Sequence, residues 1–229
     1  MTVSLQRPDH RAAQRTLADS ATSSLHDAIL TGELPAGAPL RLGELASALG
    51  MSMMPVREAL RRLAAIGLVD IVPHKGAWVR ELTADDAQDT LDTRLALETL
   101  AIQRAVGRFT EQDAEAAAAE LDQHVTAARR GDNVAARLAH TQFHFTIYRS
   151  SGSRWLLRAL EPVWQNSERY RFAGPRRSSL PASTREHQAI LDACTAHDTE
   201  RAVAALVTHL RRSHERIVKN MAASGRAKS

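Results

Sequence analysis

Apolar residues in the first eighty positions come in short bursts punctuated by Gly and Pro, as in "TGELPAGAPL" and "VPHKG". Beyond them the apolar residues recur every three or four positions through long Ala- and Leu-rich stretches with almost no strand character. The change falls near residue 82 and predicts two domains, 16–82 and 83–220, flanked by polar tails at 1–15 and 221–229.

In the first domain, "SSLHDAIL" reads as a helix stopped by Gly32. Leu42, Leu45, Ala46 and Leu49 form one stripe of a second short helix ending at Gly50. Ser52 is placed to cap a third, "MMPVREALRRLAAIG", with Pro55 in its first turn, where a missing N–H costs least, and Gly67 as its stop. "LVDIV" and "AWVRE" then flank the tight "PHKG" turn as a hairpin. Three helices and a hairpin make a winged helix-turn-helix.

The second domain offers six helical segments with local start signals: Thr83 with Asp86, Thr110 with Asp113, Asp132, Ser153, Ser183 with Glu186 as a capping box, and Thr199. "AGPRRSSLPA" reads as the loop before the fifth. The expected fold class is therefore mainly α, a winged helix-turn-helix followed by an antiparallel bundle of six helices.

Composition narrows the picture only a little. A content of 44% hydrophobic and 24% charged residues describes an ordinary globular chain, and no apolar run approaches the roughly 20 residues of a spanning helix. A cytoplasmic location without membrane attachment is expected, in keeping with the single Cys194, which reads as core filler. The net charge of +4 permits nucleic-acid binding without establishing it.

The helix–"GMS"–helix spacing is what lets the second helix of the pair enter a major groove about 12 Å wide. On that helix Val56, Leu60 and Leu63 are expected to face inward, and Met53, Met54, Arg57 and Arg61 outward. Arg57 is the leading candidate for base or phosphate recognition, because a guanidinium can bond guanine bidentately or clamp a phosphate. The alternative is a surface ion pair with Glu58 or Glu44.

The stretch from Ala28 to Val79, with "PVREAL", "LA..LG.S" and "GLV...P.KG..V" in order, resembles the N-terminal domain of the GntR family of bacterial transcription regulators. That resemblance implies a homodimer on a pseudo-palindromic operator of double-stranded DNA. Arg41, Ser52, Met53, Met54, Pro55, Arg57 and Arg61 would form its major-groove side, and His74, Lys75 and Gly76 the wing tip. Where the family often carries Arg, this chain has Met53, which can contact a thymine methyl but cannot donate to guanine, so its operator preference should differ.

In the second domain "HTQFH" places His140 and His144 four residues apart, stacked on one helix face where both could reach one metal ion. Residues 83–215 resemble the FCD ligand-binding domain of the FadR-like branch of the same family, whose members bind a divalent metal through Asp or Asn, His one turn on, and one His on each of two later helices. Residue by residue, the resemblance implies His140, His144, His187 and His209 as ligands, with His140 at the Asp/Asn position. Imidazole nitrogens favour ions such as Zn or Ni over Mg or Ca. Replacing a carboxylate by a neutral imidazole leaves the site more positive, which favours a small carboxylate effector beside the metal.

Arg94 matches a first-helix Arg that faces the effector pocket in many relatives, with a salt bridge to Glu98 as the alternative; Tyr148, one turn after His144, would line the same cavity or simply pack. Trp155 and Trp164 read as core or dimer surface, and His10, His26, His124, His197 and His214 as surface residues. The resulting expectation is a metabolite-responsive transcription regulator, a repressor by the commoner family habit. The alternatives are a metal-dependent enzyme and a DNA-binding dimer without ligand. The residues between His140 and His144 are Thr, Gln and Phe, so the Glu base of an HExxH protease is missing, and no enzyme is expected.

Overall fold

The computed structural model describes residues 10–172 and 180–226. It is mainly helical with one two-stranded sheet, the class anticipated above. The described chain forms two compact units, dividing after Thr83, with the last residues of one later helix, from Glu168, grouped with the first.

The first unit contains α1 (His10–Thr31), α2 (Leu42–Ala48), α3 (Met53–Ala65) and the antiparallel strands β1 (Val69–Val72) and β2 (Gly76–Val79). Its core joins Leu25 and Ile29 of α1 to Val56, Leu60 and Leu63 of α3 and Val79 of β2. The inward stripe read from α3 is thus the buried one. The strands pair Val69 with Val79 and Val72 with Gly76. His74 sits between them at φ 62°, a left-handed conformation that non-Gly residues adopt chiefly in tight turns.

α1 begins at His10, inside the stretch expected to be a tail. The segment "HRAAQRTLAD" is rich in Ala, Arg, Gln and Leu, and its helix propensity outweighs the polarity that suggested a tail. Residues 1–9 lie outside the described residues. Ser52 occupies the N-cap of α3 with extended backbone, but its side chain makes no cap hydrogen bond.

The second unit is built from α4 (Ala84–Val106), α5 (Glu111–Arg130), α6 (Asn133–Arg149), α7 (Arg154–Phe172), α8 (Leu180–Thr195) and α9 (Thr199–Arg226). Two starts follow the local signals closely. Thr110 accepts from the Asp113 amide while Asp113 accepts from the Thr110 amide, a complete capping box, and Asp132 accepts from the Ala135 amide. A core of Ile102, Phe143, Ile147, Leu160, Ile190 and Leu206 fills the space between the helices, with Cys194 fully buried among them.

Two boundaries differ from expectation. α9 runs on to Arg226 through "MAASGR", so the C-terminal tail from 221 is helical as far as that residue; Ala-rich sequence after a long amphipathic run simply propagates the helix. α8 starts at Leu180, not after Ser183, so Ser183 and Glu186 lie inside it and both are buried. The capping box expected there does not form because the helix begins nearly a turn earlier. Residues 173–179, most of the expected loop, lie outside the described residues.

Candidate metal centre and nucleic-acid interface

α6, α8 and α9 each turn imidazoles into the interior of the second unit. His140 and His144 come from successive turns of α6, His187 from α8 and His209 from α9, and all four are buried. One nitrogen of each lies within 4.8 Å of the others. The ring centres of His140 and His144 are 4.7 Å apart, of His140 and His187 5.0 Å, and of His144 and His187 5.0 Å. His209 lies 5.3 Å from His144, 4.4 Å from His187 and 6.5 Å from His140.

These spacings allow a test of whether a metal fits. With metal–nitrogen bonds of about 2.1 Å, ring centres sit about 3.2 Å from an ion. Four imidazoles on one ion therefore have centres roughly 4.6 to 6.5 Å apart, depending on the angle between them. The six observed spacings, from 4.4 to 6.5 Å, are of this size. The donor set fits a divalent ion that accepts imidazole nitrogen.

Hydrogen bonds indicate which nitrogen of His209 and of His144 can act as a ligand. His209 Nδ1 lies 3.0 Å from Glu186 Oε2, so Nδ1 carries the hydrogen and Nε2 keeps its lone pair. Arg216 holds the same carboxylate through two bonds of 3.1 Å. Burial works to raise the Glu186 carboxyl, but the bonds from His209 and Arg216 outweigh it and hold the group at about 2, fully ionised. Glu186, read from sequence as a cap, is instead the carboxylate that orients a candidate ligand.

A second line of contacts runs from α4. Arg94 Nε donates to Glu98 Oε1 at 2.5 Å and its Nη1 to Ser167 Oγ at 2.7 Å, while its guanidinium lies 4.6 Å from the centre of the Trp164 ring. The Tyr148 hydroxyl donates to the other Glu98 oxygen and lies 3.3 Å from His144 Nδ1. Burial, then the Glu98 charge, push the Tyr148 hydroxyl well above its usual range, so it keeps its proton. Its single hydrogen goes to Glu98, which leaves its oxygen to accept from His144 Nδ1 and leaves His144 Nε2 as the ligating atom. The salt bridge held as the alternative for Arg94 is present, and Tyr148 reaches the histidine cluster directly.

Sequence reasoning missed several members of this site. Trp164 is buried as expected, but it stacks on His140 at 5.5 Å and 25° and donates to Thr141 Oγ1 at 3.1 Å, so it is a wall of the site. Trp155 is 78% exposed and fills no core. His124, expected at the surface, is 7% exposed and faces His140, because the packing of α5 on α6 covers it. Ser167 carries no motif that singles it out, and Glu186 carries one that points to a helix cap. Glu98 is signalled only by its helical spacing from Arg94.

In the first unit, α3 presents Met53 at 55% and Met54 at 63% exposure, and Arg57 and Arg61 are exposed on the same helix. Glu44 pairs with Arg41 at 3.0 Å and Glu58 with Arg62 at 3.3 Å, so both carboxylates considered for Arg57 are taken. Among the described residues nothing pairs with Arg57. An exposed guanidinium without a partner, on a helix whose opposite face is core, is available to a phosphate or base edge. His74, Lys75 and Gly76 are exposed at the hairpin tip, and Ser52 is exposed, while Pro55 is buried and cannot be a contact residue at that surface.

Comparison with known proteins agrees with this division. Residues 17–79 match "Bacterial regulatory proteins, gntR family", and residues 89–212 match the FCD domain. The chain is 33% identical over 202 residues to the "Probable D-xylose utilization operon transcriptional repressor" of Paenarthrobacter nicotinovorans, covering 87% of this chain and 88% of that protein. It is 30% identical to the HTH-type transcriptional repressor GlaR of Escherichia coli, over 81% of this chain and 89% of that one. The solved structure of E. coli McbR/YncC aligns with a TM-score of 0.78 at 25% identity, over 89% of this chain and 97% of that chain. These relatives are regulators and not enzymes. The chain belongs to the gntR family of bacterial transcription regulators, with a gntR-type DNA-binding unit followed by an FCD domain.

Proposed function

We propose that this regulator is a cytoplasmic homodimeric repressor whose hold on a pseudo-palindromic operator is set by a divalent metal and a small carboxylate effector in the FCD domain. The observation that carries the reading is the convergence of four buried imidazoles from three helices within 4.8 Å. His140, His144, His187 and His209 would hold the metal, and its chemistry there is that of a fixed positive charge with open coordination positions. Imidazole nitrogen donors favour an ion such as Zn or Ni over Mg or Ca. A small carboxylate suits such a site, because four neutral imidazoles leave the full dipositive charge to attract it.

The protein's own groups shape what enters. Trp164 and Tyr148 bound the cluster, and Arg94 is balanced by Glu98. A second carboxylate on the effector would therefore exchange with Glu98 on the guanidinium, whereas a monocarboxylate would leave that pair intact. On the DNA side, Met53, Met54, Arg57 and Arg61 would read the major groove, with Ser52 and Arg41 on the phosphates and the wing tip at His74, Lys75 and Gly76 beside the minor groove. Effector binding acts through its differential affinity for the operator-competent and operator-released states.

The test is operator titration at fixed salt with protein that has been metal-loaded or treated with chelator, followed by addition of small carboxylates that raise the melting temperature of the loaded protein. The reading expects at least one acid to shift the melt only when metal is present and to weaken operator binding. Operator binding indifferent to metal and to every acid would instead favour a DNA-binding dimer without ligand.

A further inference from the structure

A metal-bound imidazole uses one nitrogen and exposes the other as N–H, which must find an acceptor when buried. His209 has Glu186 and His144 has the Tyr148 oxygen for this purpose. At position 140 the side chain is an imidazole, so the same need arises there. A carboxylate or amide ligand there would turn an acceptor oxygen or an amide away from the centre, whereas His140 turns away an N–H.

His124 on α5 is built to receive it. Its Nδ1 lies 2.8 Å from the Ala136 carbonyl oxygen, and a carbonyl only accepts, so Nδ1 carries the hydrogen and Nε2 is an acceptor. The His124 and His140 ring centres are 5.3 Å apart. Two imidazoles joined by an in-line N–H···N bond of about 2.9 Å have centres about 5.2 Å apart. The distance to His187 is 6.0 Å, too long for such a bond, and His124 lies outside the group of four convergent ligands.

We infer that His124 is a positioning residue of the metal centre: its Nε2 accepts the N–H that His140 turns away from the ion, fixing the tautomer and orientation of His140. This rests on the metal reading given under Proposed function. It also ties two otherwise separate features together, a histidine at the first ligand position and a buried histidine on the neighbouring helix.

The test measures affinity for Co²⁺ and Zn²⁺ by competition with a chromophoric chelator, in the full-length protein. His124→Asn keeps an amide donor for the Ala136 carbonyl but removes the acceptor; His124→Gln places an acceptor oxygen where Nε2 stood. His124→Asn is expected to weaken Zn²⁺ binding about 10- to 100-fold and to alter the visible spectrum of bound Co²⁺, while His124→Gln stays within about threefold of the parent. In a His140→Asp background, where no N–H needs an acceptor, His124→Asn is expected to change affinity less than about twofold. Equal losses in both backgrounds, or equal losses for Asn and Gln, would assign His124 to packing alone. Parent-like affinity for His124→Asn would refute the inference while leaving the metal centre standing. No stoichiometric metal in the unsubstituted protein would overturn both.

Discussion

Replacing Glu98 by Gln tests the buried polar line that supports the cluster. Glu98 is fully buried and Arg94 is 6% exposed, with Nε and Oε1 2.5 Å apart. Taking the delocalised charges as about 4 Å apart, their attraction at an effective dielectric of 20 is about 4 kcal/mol. Removing one member of such a pair typically costs about 3–5 kcal/mol, because the other charge stays buried without compensation. The Ser167 bond and the Trp164 face still hold the guanidinium, which places the expectation for Glu98→Gln near the lower end, about 3 kcal/mol. Adding Arg94→Met removes the stranded cation, and the double variant is expected to recover at least half of that loss. Urea unfolding of chelator-treated protein measures both, free of any linkage to metal. A loss below about 1 kcal/mol for Glu98→Gln, or no recovery in the double variant, would show that the Arg94 charge does not depend on Glu98 for its compensation.

Three further outcomes are expected. Arg57→Ala should weaken operator binding about 10- to 100-fold in a titration at fixed salt, and lower the salt slope by about 1 if its partner is a phosphate; unchanged affinity would remove it from the interface. Glu186→Gln should lower Zn²⁺ affinity about 10- to 100-fold in chelator competition, because His209 loses the charged acceptor that fixes its Nδ1–H. Thr110→Ala should cost about 1 kcal/mol in thermal unfolding through loss of its half of the capping box, with no effect on metal binding.

What could be read from sequence was what is local. The Thr110–Asp113 box and the Asp132 cap involve residues three apart, and the inward stripe of α3 follows from helical period alone. His140 and His144 announce themselves by spacing for the same reason. What stayed hidden depends on partners distant in the chain. Tyr148 meets Glu98 across 50 residues, and Glu186 meets Arg216 across 30. Glu186 was also misread because Ser183 three residues before it satisfies a capping pattern; once the helix starts at Leu180, the same carboxylate is carried into the bundle. His124 follows "LDQ" on an Ala-rich helix and looks solvated, and only the packing of α5 on α6 buries it. Arg57 was undecided in sequence because two carboxylates lay within reach; Arg41 and Arg62 take them.

Central to the proposed function is that the four imidazoles act together as one centre. Metal content of the purified protein after exposure to equimolar Ni²⁺ or Zn²⁺ and removal of free ion tests this most directly, with His187→Ala as the paired sample. The prediction is close to one ion per chain for the unsubstituted protein and a large drop for His187→Ala, both remaining folded. Negligible metal in the unsubstituted protein, or equal metal in the two, would contradict it.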